Sequence, residues 1–321
     1  MISSYTDYGT LLKSINQLYK VDVVKVKLHR DMIGHVYFFQ SNNKKYVLKL
    51  YRSSKSEDAL HTIDILKYLK EDDYPAITIV PTKNNEMSIY LDTPDGRCVG
   101  ILFDFVDGKE PDRKIEIENI GLQIGWLHKL MEKYPYKLIN RTKSDYIGDY
   151  ISIMRELNYI PERIIELEKY GKELWNRISS LPKGFCHGDL HTGNMLQTEA
   201  GKYVLLDFDD ASGDFPIMDA AYLCDYTNFN SFSDDAYDKT SRLFDRFYNG
   251  YIKERTISAV EINSIYDFVA IRHFQIISRI VRCKGFQSID HEDMDNQYEW
   301  LLNWKNLCEM KRNINKSNSD S

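Results

Sequence analysis

The segment from Phe185 to Asp210, FCHGDLHTGNMLQTEAGKYVLLDFDD, gathers the residue types that phosphoryl-transfer chemistry needs. His187-Gly188-Asp189 opens it, and Asn194 follows five positions after that aspartate. An apolar pair (Met195-Leu196), a turn around Glu199-Ala200-Gly201 and a strand from Tyr203 to Leu206 then lead to Asp207-Phe208-Asp209. The spacing predicts a loop carrying Asp189 and Asn194, and a hairpin that returns Asp207 beside Asn194. A carboxylate and an amide oxygen form a hard donor pair suited to Mg2+, which keeps its other positions for water and phosphate. Asp189 is left to orient a hydroxyl and take its proton. Singly, His187, Asp189 and Asn194 are ordinary turn and cap residues. Their joint spacing, with an apolar strand ending in Asp-Phe-Asp, favours the chemical reading.

The elements that must hold these residues follow from periodicity. Residues 1 to about 106 read as strands with two helices. A short amphipathic helix spans Tyr8 to Tyr19, and alternating strands cover 21–28, 35–40 and 44–51. The last two are joined by the turn Ser41-Asn42-Asn43. A helix over Ser56 to Lys70 carries Leu60, Ile63, Leu66 and Leu69 at helical spacing. Strands at 87–91 and 98–106 flank the turn Thr93-Pro94-Asp95-Gly96. Five strands and one inserted helix make an antiparallel α+β lobe. From Asp112 the pattern turns helical, with helices near 117–134, 144–157, 161–179, 217–227, 234–254, 259–283 and 292–311. The boundary falls near Asp107-Gly108-Lys109, so the expected division is 1–106 and 107–312. The second part contains the loop 185–210, and 313–321 is a frayed polar tail.

His187-Gly188-Asp189 with Asn194 and Asp207-Phe208-Asp209 resembles the aminoglycoside phosphotransferase and choline kinase-like family, relatives of the protein kinases. The resemblance extends over most of the chain, because the strand-rich and helical parts come in the family's order. It implies a bilobal protein-kinase-like fold, ATP and Mg2+ as cofactors, Asp189 as catalytic residue, and Asn194 and Asp207 as metal ligands. Such a kinase needs a fixed cation against the nucleotide phosphates. Lys49 supplies one, on the strand face opposite Leu48 and Leu50. The family pairs that lysine with a helix acid. Glu57 and Asp64 are candidates, and the position two before Leu66 selects Asp64, where Glu is usual. The segment Asp31-Met32-Ile33-Gly34-His35 takes the place of the phosphate-covering turn, with Gly34 its single glycine. Leu102 to Gly108 resembles the hinge (about 103–108), so that Asp104 and Val106 bond adenine through their backbone and Phe103 sits behind it. His128 is read as a helix residue packed near the catalytic loop, and His191 as support for Asp189 or phosphate.

Composition narrows the rest. Of 321 residues, 43% are hydrophobic and 28% charged, which excludes wholesale disorder and collagen-like or disulfide-stapled architectures. Five scattered cysteines form no metal-binding or disulfide pattern. A net charge of −6, with no nucleic-acid motif, argues against a nucleic-acid partner. No run approaches a membrane span and the N-terminus lacks a signal-peptide pattern, so the expectation is a cytoplasmic protein, monomeric or homodimeric. Residues 207–300 hold 18 acids against 9 bases. That excess predicts a small hydroxyl acceptor that is cationic or neutral, with Asp225, Asp234, Asp235 and Asp238 nearest it and Asp209 as a further substrate contact. Two other functions share the motif: a bacterial stress-type Ser/Thr protein kinase, and a catalytically silent structural member such as a spore-coat protein. Against the first, the loop reads His-Gly-Asp, Asp209 stands where Asp-Phe-Gly has glycine, and no activation segment follows.

Overall fold

The computed structural model describes residues 7–31, 34–93 and 96–319. The start of the chain, and part of each turn at 31–35 and 93–96, lie outside them. Along the chain run α1 (Tyr8–Leu18), β1 (Val23–Asp31), β2 (Gly34–Ser41), β3 (Lys45–Tyr51), α2 (Ser56–Glu71), β4 (Ile89–Thr93) and β5 (Gly96–Asp104). Then come α3 (Arg113–Met131), α4 (Asp149–Glu156), α5 (Pro161–Ile178), β6 (Gly184–Cys186), β7 (Met195–Gln197), β8 (Tyr203–Leu205) and β9 (Ser212–Asp214). The last are α6 (Pro216–Cys224), α7 (Ala236–Tyr251), α8 (Ala259–Asn263), α9 (Ile265–Lys284) and α10 (His291–Ser319).

Two compact units divide the chain: one runs to Pro111 and adds Gly193–Asp210, the other holds Asp112–Thr192 and Ala211–Ser321. The loop 185–210, expected wholly with the helices, is therefore split. The cause is hydrogen bonding. The β7–β8 hairpin docks on the first unit through Leu205 N–H to Pro75 O (3.0 Å) and Ile77 N–H to Leu205 O (2.9 Å). A reciprocal pair between Lys109 and Gln197 (2.8 and 3.1 Å) secures its other strand.

In the first unit the sheet order is β1-β2-β3-β5-β4, antiparallel throughout, as the alternation predicts. Tyr37, Phe39, Tyr46, Leu48 and Leu50 face one side and are closed over by Leu11, Ile15 and Tyr19 of the α1 region. Burying each large apolar side chain contributes about 1.5–3 kcal/mol, and this layer anchors the strand that carries Lys49 on its other face. The β2–β3 turn is closed by Ser41, whose hydroxyl accepts from Lys44 N–H at 3.0 Å. Gly34 begins β2 opposite Tyr51, where a Cβ would lie 2.5 Å from the Leu50 carbonyl oxygen, so only glycine fits.

The second unit is helical apart from the two-stranded β6–β9 ribbon. Every residue of α6 is buried, including its single acid, Asp219. The C-terminal helix runs to Ser319, with no Gly or Pro in NINKSNS to interrupt its hydrogen-bond ladder. Leu60, expected on the buried face of α2, is 46% exposed, and the buried face is instead Ala59, Thr62, Ile63, Ile65, Leu66 and Leu69.

Candidate active site

In the first unit, side chains converge on Lys49. Alternation along β3 puts Lys49 and Tyr51 on the face opposite Leu48 and Leu50. Lys49 Nζ lies 2.6 Å from Asp207 Oδ1 and 2.6 Å from Asp209 Oδ2. Tyr51 donates its hydroxyl to Asp209 Oδ1 at 2.8 Å, and Thr62 of α2 reaches the same oxygen at 3.5 Å. Burial works against the Lys49 ammonium, but the two carboxylates outweigh it and raise its pKa. Burial likewise pushes the Asp209 carboxyl up to about 6, with Lys49 opposing and Asp207 reinforcing the rise.

This arrangement corrects two expectations. Asp64 does not meet Lys49. It is exposed, because two residues along a helix from the inward-facing Thr62 is about 200° around the axis. Glu57 is exposed as well. Asp209, expected against the acceptor, instead pairs with Lys49 and takes the charge-balancing part assigned to the helix acid. The signal for this was present as the aspartate in Asp-Phe-Asp.

The hairpin behaves as predicted. Met195 pairs with Leu205, and Leu206 N–H donates to Asn194 O at 2.9 Å, so Asn194 lies opposite Leu206, one residue before Asp207. Asp207 has φ +56°, a left-handed conformation that aspartate tolerates better than most residues. An amide and a carboxylate at adjacent positions are the donor set a hard divalent cation accepts, with phosphate and water for the remaining positions. Among the described residues no group of three or more His, Cys, Asp or Glu offers a self-sufficient metal site.

Phe103 is buried at the end of β5, and Asp104 N–H donates to Thr78 O at 3.0 Å. The chain leaves the sheet here, so Val106 stands beyond the ladder. Gly34 heads β2, beside β3 and two strands from β5.

In the second unit, β6 delivers the chain into His187-Gly188-Asp189. Gly188 has φ +80°, which glycine adopts at little cost. Asp219 holds this turn from behind. Its Oδ1 accepts from Gly188 N–H (3.0 Å) and the Cys186 thiol (3.1 Å). Its Oδ2 accepts from His187 N–H (2.6 Å) and contacts His128 Nε2 (3.1 Å). Arg255 donates to Tyr251 Oη (3.1 Å), which lies 2.7 Å from His128 Nδ1. A carboxylate only accepts, so His128 donates from Nε2 to Asp219, with the Tyr251 hydroxyl against its other ring nitrogen. Burial acts to raise the Asp219 pKa, but His128 and the backbone N–H of His187 outweigh it and hold the carboxyl below the usual value. Asp189 Oδ1 lies 3.0 Å from Arg279 of α9, and its Oδ2 lies 4.0 Å from His191 Nε2.

Sequence reasoning did not single out Asp219, Tyr51, Thr62 or Arg279. A lone acid in the otherwise apolar helix PIMDAAYLC was a usable signal for the first; the others depend on long-range packing. Of the acids expected nearest the acceptor, Asp235 and Asp238 are neutralised by Lys239 and Lys311, each at 2.6 Å. Asp234 is exposed. Asp225 is half-buried, its pKa raised by burial, and accepts from Thr227 N–H at 2.8 Å.

Residues 26–252 match the model of the phosphotransferase enzyme family. The chain belongs to that family. An uncharacterized protein of Deinococcus radiodurans is 22% identical over 269 residues, covering 80% of this chain and 77% of the relative. Among solved structures, the amicoumacin kinase hAmiN in complex with AMP-PNP, Ca2+ and Ami superposes with a TM-score of 0.74 at 20% identity, covering 95% and 94% of the two chains. The microcompartment-associated aminopropanol kinase gives 0.73 at 17%, covering 94% and 96%. Choline kinase LicA from Streptococcus pneumoniae gives 0.59 at 17%, covering 92% and 97%. The fold is thus protein-kinase-like, as the resemblance implied. Among the described residues, no helix is long and apolar enough to cross a membrane.

Proposed function

We propose that this phosphotransferase moves the γ-phosphate of ATP to a hydroxyl of a small molecule, with Mg2+ as cofactor. The observation that carries the reading is the Lys49–Asp207 contact at 2.6 Å, with Asn194 on the facing strand opposite Leu206, one residue before Asp207. A fixed cation and a hard oxygen-donor pair held by one small unit are what polyphosphate binding requires. In this reading Lys49 binds the nucleotide phosphates, and Asp209 and Tyr51 keep it extended. Phe103, Asp104 and Val106 receive the adenine, and Gly34 lets the chain pass close over the strand beside Lys49. Asn194 and Asp207 hold Mg2+, which when bound neutralises charge on the phosphates. Asp189 orients the acceptor hydroxyl and accepts its proton as the new O–P bond forms and the bond from Pγ to the bridging oxygen of ADP breaks.

The solved relatives named above act on amicoumacin, aminopropanol and choline, which supports a small-molecule acceptor over a protein serine or threonine. The acidic excess of residues 207–300 supports an acceptor that is cationic or neutral overall. The presence of Lys49, Asp189, Asn194 and Asp207 argues against a silent structural role. A cytoplasmic enzyme, monomer or homodimer, is consistent with ATP as donor. The test is Mg2+-dependent ATP binding followed by ADP release against a panel of amino alcohols, amino sugars and sugars. Absence of Mg2+-dependent ATP binding overturns the proposal.

A further inference from the structure

Resting on the kinase reading, we propose that Arg30 is a second phosphate-binding cation of the nucleotide site, turned to the face of Lys49 by a bulge at the end of β1. Strict alternation would leave Arg30 on the core side of the sheet, with Val26 and Leu28. The β1–β2 register differs: Leu28 pairs with Tyr37 but Arg30 pairs with Val36, so His29 is an extra residue in β1. An extra residue reverses the faces of those that follow it, and bulges of this kind re-aim side chains beside active sites. Exposure follows the same count. Val26 and Leu28 are half-buried, His29 and Arg30 are exposed, and Asp31 is half-buried again. The His29 ring is stacked on Phe38 at 4.3 Å, and Phe38 lies on the Lys49 face because it pairs with Val47.

Arg30, Val36 and Lys49 are therefore paired neighbours in one row across β1, β2 and β3. With strands about 4.8 Å apart, the Cα atoms of the two cations lie about 10 Å apart across a single valine. Val36 is too short to fill that width, whereas the two long stems can lean over it toward one polyphosphate.

Charge shows why a second cation is needed. Lys49 already faces two carboxylates, Asp207 and Asp209, at 2.6 Å each, so the cluster brings no net positive charge to an incoming ligand. A nucleoside triphosphate carries more negative charge than one Mg2+ neutralises. The Arg30 side chain is exposed and, among the described residues, makes no ion pair or hydrogen bond. Its neighbour Asp31 is turned to the other side of the sheet, where it meets His35 at 3.0 Å and Arg52 at 3.8 Å. A guanidinium carried by a strand and committed to no other group is a planar donor suited to phosphate oxygens.

Calorimetric titration of the full chain with adenosine, Mg·ADP and Mg·AMP-PNP tests this, since adenosine reports the base and ribose alone. Arg30→Gln should weaken Mg·ADP and Mg·AMP-PNP roughly 10-fold, the size of one charge-assisted contact, and leave adenosine within about twofold of the parent. Arg30→Lys should recover part of the loss, because a point cation still attracts phosphate without the planar fork. Arg30→Glu should lose more than Arg30→Gln, because a carboxylate repels the same oxygens. Melting temperatures of all three variants should stay within about 2 °C of the parent, since the side chain holds no other part of the fold. An equal loss for adenosine, or parent-like binding of Mg·AMP-PNP by Arg30→Gln, overturns the inference. Failure of the parent to bind any of the three ligands is a different result: it removes the kinase reading, and this inference with it.

Discussion

Replacing Asp219 with asparagine should disable the catalytic turn without touching the nucleotide unit. Each Asp219 oxygen faces two donors: Gly188 N–H and the Cys186 thiol on one, His187 N–H and His128 on the other. Whichever way an asparagine amide is turned, its NH2 points at two donors inside a fully buried site. Loss of one partner from such a buried charged cluster costs about 3–5 kcal/mol. For a unit of about 190 residues, 2–4 °C per kcal/mol converts this to a fall in Tm of roughly 10 °C. Turnover should drop ~10²-fold because the Asp189 backbone is no longer fixed. Nucleotide affinity should hold, since Lys49, Asp207 and Asp209 belong to the other unit. Differential scanning calorimetry, a coupled ADP assay and nucleotide titration read these three quantities. His128→Phe, which removes one donor and leaves the carboxylate, should show about half the Tm loss. A Tm within about 2 °C of the parent, together with full turnover, would falsify the assignment of Asp219 as the clamp.

Asp189→Asn should lower kcat by ~10²-fold or more and leave Mg·ATP affinity unchanged; normal turnover would remove it from its proposed role. Asp207→Asn and Lys49→Ala should each weaken Mg2+-dependent nucleotide binding in a titration, and parent-like binding by Asp207→Asn would exclude it as a metal ligand. Asp64→Ala, by contrast, should match the parent in nucleotide affinity, because Asp64 is exposed and Lys49 pairs elsewhere; a tenfold loss would restore the helix acid. His273 is stacked between Phe229 and Trp300, and its Nε2 is 3.2 Å from Thr227 Oγ1. Burial pushes its pKa down to about 3, opposed by Gln297 and aided by Arg272. The unfolded chain therefore takes up this proton first as pH falls below about 6.5, and stability is lost downward. At pH 5 the loss is about 2 kcal/mol relative to pH 7. Denaturant unfolding of His273→Asn should show a shallower decline over that interval, and an unchanged slope would sink the account.

Local pattern was enough for the sheet unit and for the hairpin. Period-two alternation assigns Lys49 to the face opposite Leu48 and Leu50 whatever the partners are, because successive side chains point to opposite sides of a strand. The spacing from Asn194 to Asp207, with a turn between, likewise brings the two ends of the hairpin to the same end of the ladder, Asn194 opposite Leu206, since hairpin register follows from the turn. Three other outcomes depend on how segments far apart in the chain are brought together. The acid that pairs with Lys49 depends on the docking of residues 193–210 onto the first unit, and Asp209 reaches the lysine where Asp64 faces solvent. The grip on the catalytic turn comes from α6, 31 residues beyond Gly188, and carries no sequence period. The cation beside Asp189 is Arg279, 90 residues downstream, although the region that contains it is acidic on balance. A charge count sums over a segment without regard to place, whereas Coulomb energy falls with distance and is screened within about 10 Å, so only the tertiary structure decides which charges act on the reacting atoms.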